Sequence, residues 1–187
     1  MDAYLFDFGN VVVRFDHWRF CNRLAAETRC ISAERIYHSV FSGTLNERFE
    51  LGRISGEELY ESVAKDLGLA TPMEQFKDIW CDIFTQNPGM VEMIQTLRTS
   101  SRVILISNTN QWHIEYLRTR FSCIFECFDA LILSYEIGMR KPDLEIFWRA
   151  VTAAGTDPSR CLYFDDLEGH VMAARTVGMN AVLFRYV

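Results

Sequence analysis

No apolar run in this 187-residue chain approaches the ~18 residues that a membrane-spanning helix needs, so a membrane span is not expected. Positive charge is in deficit: 19 Lys and Arg face 25 Asp and Glu, a formal net charge of −6. Nucleic-acid binding is driven by clustered cations that neutralise phosphates, so a nucleic-acid partner is not expected either. A small anionic substrate held in one locally positive pocket remains compatible with this balance. The cysteines, at 21, 30, 81, 123, 127 and 161, are scattered, and the C-x-x-x-C of Cys123 and Cys127 has no His or second Cys pair nearby. Reduced, mostly buried thiols are expected rather than a zinc site. G-x-G-x-x-G and the Walker pattern are both absent, which removes a dinucleotide or NTP-binding loop from consideration. The first residues, Met1-Asp2, are acidic and lead straight into a strand pattern, unlike the basic start of a signal peptide. With the thiols, this points to a cytoplasmic location.

The length suits one substantial core, or a core with a smaller insertion. Five short runs read as buried strands: Tyr4-Leu5-Phe6, Val103 to Ile106, Ala130 to Leu133, Leu162-Tyr163-Phe164 and Ala181 to Phe184. They are apolar at consecutive positions rather than alternating, the pattern of parallel strands covered on both faces. Single helical patterns, over 110–121, 142–154 and 168–178, separate the last four, with Pro142 suited to a first helical turn. This winding predicts an α/β fold: a Rossmann-like open parallel sheet in the order 3-2-1-4-5, counting the five runs along the chain.

Nearly a hundred residues separate the first two runs, far more than one crossover helix needs. The interval holds helix signals and no convincing strand. Ser55-Gly56-Glu57-Glu58 is a capping-box pattern before Leu59, Val63 and Leu67 on one face. Thr71-Pro72-Met73-Glu74 repeats the device, with Pro72 at the first helical position, before an aromatic stripe of Phe76, Trp80 and Phe84 that reads as core. Two more helices are expected over 17–28 and 32–42, and Asn87-Pro88 starts the helix that returns to the sheet. The division predicted is an α/β core of residues 1–14 and 88–187, with a helical cap of 15–87.

In open α/β sheets, ligands bind beyond the carboxyl ends of the strands. The polar residues there are Asp7 after the first strand, Ser107 and Asn108 after the second, and Asp165 and Asp166 after the fourth; Lys141 lies in the loop after the third. Carboxylates suit a hard divalent cation, while an ammonium, a hydroxyl and backbone N–H groups suit a phosphoryl group. Carboxylates placed together also repel, so a cation should sit between them.

The runs "FDFGNVVV", "LISNTN", "GMRKPD" and "YFDDLEGHVMAARTVGM", in this order, resemble the four motifs of the haloacid dehalogenase superfamily. The helical insertion looks like that superfamily's cap, and D-x-G-N-V resembles its branch of small phosphatases that includes sugar-1-phosphate phosphatases. The resemblance implies a phosphatase acting on a small phosphorylated metabolite, with Asp7 as the nucleophile that forms an aspartyl-phosphate. It implies Mg2+ held by Asp7, the Gly9 carbonyl and Asp166, with Asp165 directly or through water. Ser107, the Asn108 N–H and Lys141 would hold the phosphoryl oxygens. Two alternatives stand beside it: a phosphate-binding module without turnover, and hydrolytic dehalogenation, which the Asp165-Asp166 pair disfavours.

Most phosphatases of the superfamily carry a second aspartate where this chain has Gly9, to protonate the leaving oxygen and later activate water. Either the leaving group is good, as in a sugar 1-phosphate, or another residue substitutes. Asp16, Glu168 and His170 are the nearest candidates in sequence, and Arg14 to Trp18, His17 included, are plausible hinge and lining positions.

Overall fold

The computed structural model describes residues 1–185. The chain opens with strand β1 (Ala3–Phe6) and a short β2 (Val13–Phe15). Five helices follow: α1 (His17–Thr28), α2 (Ala33–Phe41), α3 (Leu45–Glu50), α4 (Gly56–Leu67) and α5 (Met73–Cys81). Strand β3 (Phe84–Gln86) and helix α6 (Pro88–Arg98) lead to β4 (Arg102–Ser107). Helices α7 (Gln111–Arg120) and α8 (Ser122–Phe125), strand β5 (Ala130–Leu133) and helices α9 (Ser134–Ile137) and α10 (Leu144–Ala154) come next. Strand β6 (Cys161–Asp165), helix α11 (Glu168–Thr176) and strand β7 (Asn180–Leu183) complete the description.

All five apolar runs enter one parallel sheet, ordered β5-β4-β1-β6-β7. Its two faces are covered, as continuous apolar strands require. On one face α10 and α11 bring Ile146, Phe147, Val171 and Ala174 against Leu5, Ile104 and Tyr163. On the other, Val91, Ile94, Leu117 and Ile124 meet Phe6, Val103 and Leu105. The register fixes the chemistry: Phe6 lies opposite Leu105 and Phe164, so the residues that follow each strand emerge at one level. The Asp7 N–H then donates to the Phe164 carbonyl at 2.8 Å, holding the first polar residue beside the end of β6.

The helical group has its own core, in which Phe20, Leu24, Ile36, Leu59, Phe76 and Trp80 pack together. The capping box at Ser55 and Glu58 is complete, with Glu58 N–H on Ser55 Oγ at 3.2 Å and Ser55 N–H on Glu58 Oε2 at 2.8 Å. The second predicted box does not form. Pro72 occupies the cap position itself, α5 starts at Met73, and the Thr71 carbonyl accepts from the Tyr60 hydroxyl at 2.9 Å. The insertion also contains strand after all: β2 and β3 pair antiparallel, Val13 opposite Gln86 and Phe15 opposite Phe84. Three-residue strands at the two necks of an insertion are too short for an alternating pattern to reveal. Helix α10 begins two residues later than Pro142 suggests, because the Asp143 N–H turns back to the Arg140 carbonyl at 2.9 Å and keeps this segment out of the helix.

Trp112, on α7, joins the core of the helical group and touches both Phe49 and Phe76. Gly56, the first residue of α4, makes this contact possible: a Cβ there would lie 2.0 Å from Trp112 Cε2. Gly56→Ala is therefore expected to destabilise the protein by about 1–3 kcal/mol through overpacking, despite alanine's better helix propensity. Gly169→Ala, in α11 with nothing within 4 Å of the added carbon, is expected to be neutral or slightly stabilising. Urea unfolding of the two variants checks the pair.

Candidate active site

Asp7, Asp165 and Asp166 each offer a carboxylate oxygen within 4.8 Å of the others. The predicted cation is present in the protein itself. Lys141, 1% exposed, places Nζ 2.7 Å from Asp7 Oδ1 and 2.8 Å from Asp165 Oδ2. A third contact reaches the Tyr163 hydroxyl at 3.0 Å, completing the three donors of the ammonium. Its backbone is gripped as firmly. Asn108 accepts from Lys141 N–H through Oδ1 at 2.8 Å and donates from Nδ2 to the Lys141 carbonyl at 2.9 Å. The side chain of Asn108 thus ties the end of β4 to the loop after β5, a role beyond its expected backbone contact.

The two carboxylates that share this ammonium are not equivalent. Asp165 is fully buried, yet Oδ1 accepts from the Leu167 N–H at 2.8 Å, Oδ2 accepts from Tyr163, and His170 Nδ1 lies 3.0 Å away. Burial alone would raise its carboxyl, but Lys141 and His170 outweigh it and hold Asp165 well below the ordinary range. Asp7 has fewer donors: its own following N–H, from Phe8 at 2.6 Å, and Lys141, both on Oδ1. Burial therefore prevails and pushes Asp7 up to about 6, with Lys141 offsetting part of the rise. Oδ2 of Asp7 receives no hydrogen bond from the described residues, which leaves it free to react or to ligate. Asp166, half-buried, accepts from Asn10 Nδ2 at 3.2 Å, and burial raises its carboxyl too.

Ser107, 3% exposed, closes β4 and lines a cavity of about 70 Å³ together with Gly9, Asn108, Phe15, His17 and Glu50. A neighbouring cavity of about 210 Å³ contains Asp7, Asp166, Lys141, Arg140 and, again, Glu50. Asp7, Gly9, Ser107, Asn108, Lys141 and Asp166 thus border these two spaces, and Asp165 supports Lys141, which does. Three carboxylates against one ammonium leave an excess of negative charge, all of it on oxygen donors, and this donor chemistry suits a hard divalent cation such as magnesium.

The proposed stand-ins for a side chain at Gly9 fall out differently. Asp16 is exposed and caps α1 by accepting from Trp18 N–H at 2.8 Å. Glu168 is exposed in the first turn of α11. His170 is committed to Asp165, and so acts on Lys141 only through that carboxylate. At Gly9 the ring of Phe15 fills the space: a Cβ there would lie 2.6 Å from Phe15 Cε1. Glu50, outside every motif, and Arg140, which the "GMRKPD" run contains without an assigned role, enter the site instead. Arg140 Nη2 is 3.0 Å from Glu50 Oε2, linking the loop before Lys141 to helix α3.

A family model described as haloacid dehalogenase-like hydrolase matches residues 1–178. Among curated relatives, the D-ribitol-5-phosphate phosphatase of Bacteroides thetaiotaomicron is 28% identical over 184 residues, 94% of this chain and 88% of that protein. A pyrimidine 5'-nucleotidase of Escherichia coli is 29% identical over 108 residues, 57% of this chain and 48% of that protein. A HAD family enzyme from Bacteroides thetaiotaomicron, solved with magnesium and inorganic phosphate, superposes with a TM-score of 0.87 at 23% identity, covering 97% of this chain and 93% of its own. The L-2-haloacid dehalogenase of Xanthobacter autotrophicus shares the fold more distantly, with a TM-score of 0.69 at 18% identity over 97% of this chain and 76% of its own.

The unequal carboxylates carry a stability signature. An acid whose native pKa is raised holds its proton more tightly folded than unfolded, so its contribution falls as pH climbs from the unfolded ~3.9 to about 6. Asp165, shifted down, changes only below that window. In EDTA, Asp7→Asn is expected to be more stable than the natural protein at pH 7.5, with the advantage shrinking towards pH 4.5. Urea titrations at the two pH values check it.

Proposed function

Since the chain belongs to the haloacid dehalogenase-like hydrolase family, we propose that it is a magnesium-dependent phosphatase that hydrolyses a small phosphorylated metabolite through an aspartyl-phosphate on Asp7. The observation that carries this reading is the buried Lys141 clamped between Asp7 and Asp165, with Asp166 completing a three-carboxylate cluster. Attack on carbon, as in dehalogenation, needs no such gathering of negative charge.

In this reading Asp7 attacks phosphorus with Oδ2, while Oδ1 stays anchored to Lys141 and the Phe8 N–H. Bringing the ester into a closed space beside a fixed carboxylate lowers the entropic cost of the attack. Asp7, the Gly9 carbonyl and Asp166 would hold magnesium, which offsets repulsion between an anionic nucleophile and a dianionic phosphate. Asp165, with both oxygens already hydrogen-bonded, serves as the orienting partner of Lys141 and reaches the ion at most through water. The Ser107 hydroxyl and the Asn108 N–H hold phosphoryl oxygens, and the Lys141 ammonium, its three donors committed, stabilises their charge in the transition state through its field.

Residues 15–87 act as the cap that closes over this site. The cap supplies Phe15, His17, Asn46 and Glu50 to the small cavity beside Ser107. A space of about 70 Å³ with aromatic walls and a few polar groups suits a sugar or polyol phosphate better than a nucleotide. The likeness to a ribitol-phosphate phosphatase points the same way. His17, pushed down to about 4 by burial, is a neutral imidazole there and stacks on Phe41 with ring centres 4.2 Å apart.

Phosphate release from D-ribitol 5-phosphate, glucose 1-phosphate and 4-nitrophenyl phosphate tests the reading. Release is expected with magnesium and not with EDTA, and Asp7→Asn should lower kcat by more than about 10³-fold. Ser107→Ala should cost about 10²–10³-fold, the worth of one donor to the transferring group. Magnesium-dependent binding of phosphate analogues without release from any ester would make the protein a binding module instead.

A further inference from the structure

Expulsion of an alkoxide from phosphorus requires a proton, and the groups already assigned to the site do not hold one to give. Asp7 is the nucleophile, Lys141 has all three donors committed, and Asp165 is saturated by Lys141, Tyr163, His170 and the Leu167 N–H. His113 has both ring nitrogens occupied, Nδ1 with Asn110 at 3.0 Å and Nε2 with the Trp80 carbonyl at 3.3 Å.

Glu50 differs from all of these. It ends helix α3, its side chain is only 14% exposed, and it borders both the cavity that holds Asp7 and the one beside Ser107. Oε1 accepts from Asn46 Nδ2 at 2.9 Å. Oε2 is buried without a hydrogen-bond partner: Arg140 Nη2 lies 3.0 Å from it as an ion pair, but not in hydrogen-bonding geometry. Arg140 Nε is orphaned in the same way. Two buried polar atoms of opposite character, both unsatisfied on residues that share a cavity with Asp7, form a place for one more oxygen. The backbone of Glu50 is fixed as well, since Ser134 Oγ donates to its carbonyl at 2.6 Å. Burial raises the Glu50 carboxyl, with Arg140 and the Asn46 hydrogen bond opposing the rise. The charged groups around it are Arg140 and Lys141, which oppose that rise, and Glu47, which adds to it.

We infer that Glu50, carried by the helical cap, is the general acid and base of the reaction, in place of a side chain at Gly9 whose space the Phe15 ring takes. This inference rests on the phosphatase reading. As the Asp7 oxygen bonds to phosphorus, the bond from phosphorus to the ester oxygen breaks. The Glu50 carboxyl passes its proton to that oxygen and the alcohol departs. Water then attacks the aspartyl-phosphate; Glu50 carboxylate takes a proton from it, the Asp7 carboxylate is regenerated, and inorganic phosphate leaves. Because the acid rides on the cap, the site is complete only when α3 is docked on the loop of Arg140.

The test compares Glu50→Gln with the natural protein on two esters that differ in leaving group, phenyl phosphate and 4-nitrophenyl phosphate, with magnesium. Glutamine keeps the shape and the Asn46 contact but cannot transfer the proton. With phenyl phosphate, the single-turnover rate of phenol release should fall about 10²–10⁴-fold. With 4-nitrophenyl phosphate the burst of nitrophenolate should persist within about tenfold, followed by slow turnover as the aspartyl-phosphate accumulates. The persisting burst also shows that the variant is folded. Glu50→Asp should recover part of the phenyl ester rate. Equal rates for Glu50→Gln and the natural protein on both esters would overturn the inference while leaving the phosphatase reading intact, as would loss of the phenyl ester rate in His17→Gln alone. No release from either ester by the natural protein would overturn both.

Discussion

A single buried ammonium organises this molecule. Lys141 has almost no contact with solvent and touches Asp7, Asp165 and Tyr163, which come from two neighbouring strand ends. Two carboxylates this close repel, and desolvation penalises each of them further. The ammonium makes their shared burial tolerable, and its removal would leave buried charge uncompensated, which typically costs ~3–5 kcal/mol. Around it, Asn108 holds the lysine backbone at both its N–H and its carbonyl, while His170 and the Leu167 N–H hold Asp165. The result is a division of labour: Asp165 is fixed and strongly acidic, whereas Asp7 retains a free oxygen and a raised pKa. A carboxylate in that state is a better nucleophile than a saturated one.

The helical insertion connects to this centre at three levels. The β2–β3 pair forms its neck, Trp112 plugs into its core from α7, and Glu50 with Glu47 faces Arg140 at distances of 3.0 and 3.6 Å. The neck also explains the glycine two positions after Asp7. Phe15 of β2 lays its ring against Gly9, so the position has no room for a side chain. The steric choice and the chemistry of the cavity are linked, because the ring that occupies the space also lines the wall of the pocket.

Much of this was legible in the sequence, for physical reasons. Parallel strands covered on both faces must be apolar at consecutive positions, so the runs at Leu5, Ile104, Leu131, Tyr163 and Val182 stand out, and the polar residues that close the first, second and fourth, Asp7, Ser107 and Asp165, mark the edge where the site forms. A complete capping box at Ser55 is equally local. What escaped depends on contacts distant in sequence. The strands β2 and β3 have three residues each and mean nothing until paired. Helix α3, in "LNERFE", is too short for an apolar stripe. Tyr163 reads as one more strand residue although its hydroxyl serves Asp165 and Lys141. Glu50 and Arg140 look like ordinary surface charges, and only the folded chain brings them to Asp7. Pro142 suggested a helix start, but the turn from Arg140 to Asp143 takes precedence there.

The central claim is that Asp7 becomes covalently phosphorylated. Its most direct test is acid quenching of the protein within milliseconds of mixing with 4-nitrophenyl phosphate and magnesium, followed by mass spectrometry of the proteolytic peptides. The account predicts one added phosphoryl group on the peptide containing Asp7, lost on standing at neutral pH and absent from Asp7→Asn. Steady phosphate release with no phosphoryl on that peptide at any quench time, and continued turnover by Asp7→Asn, would contradict it.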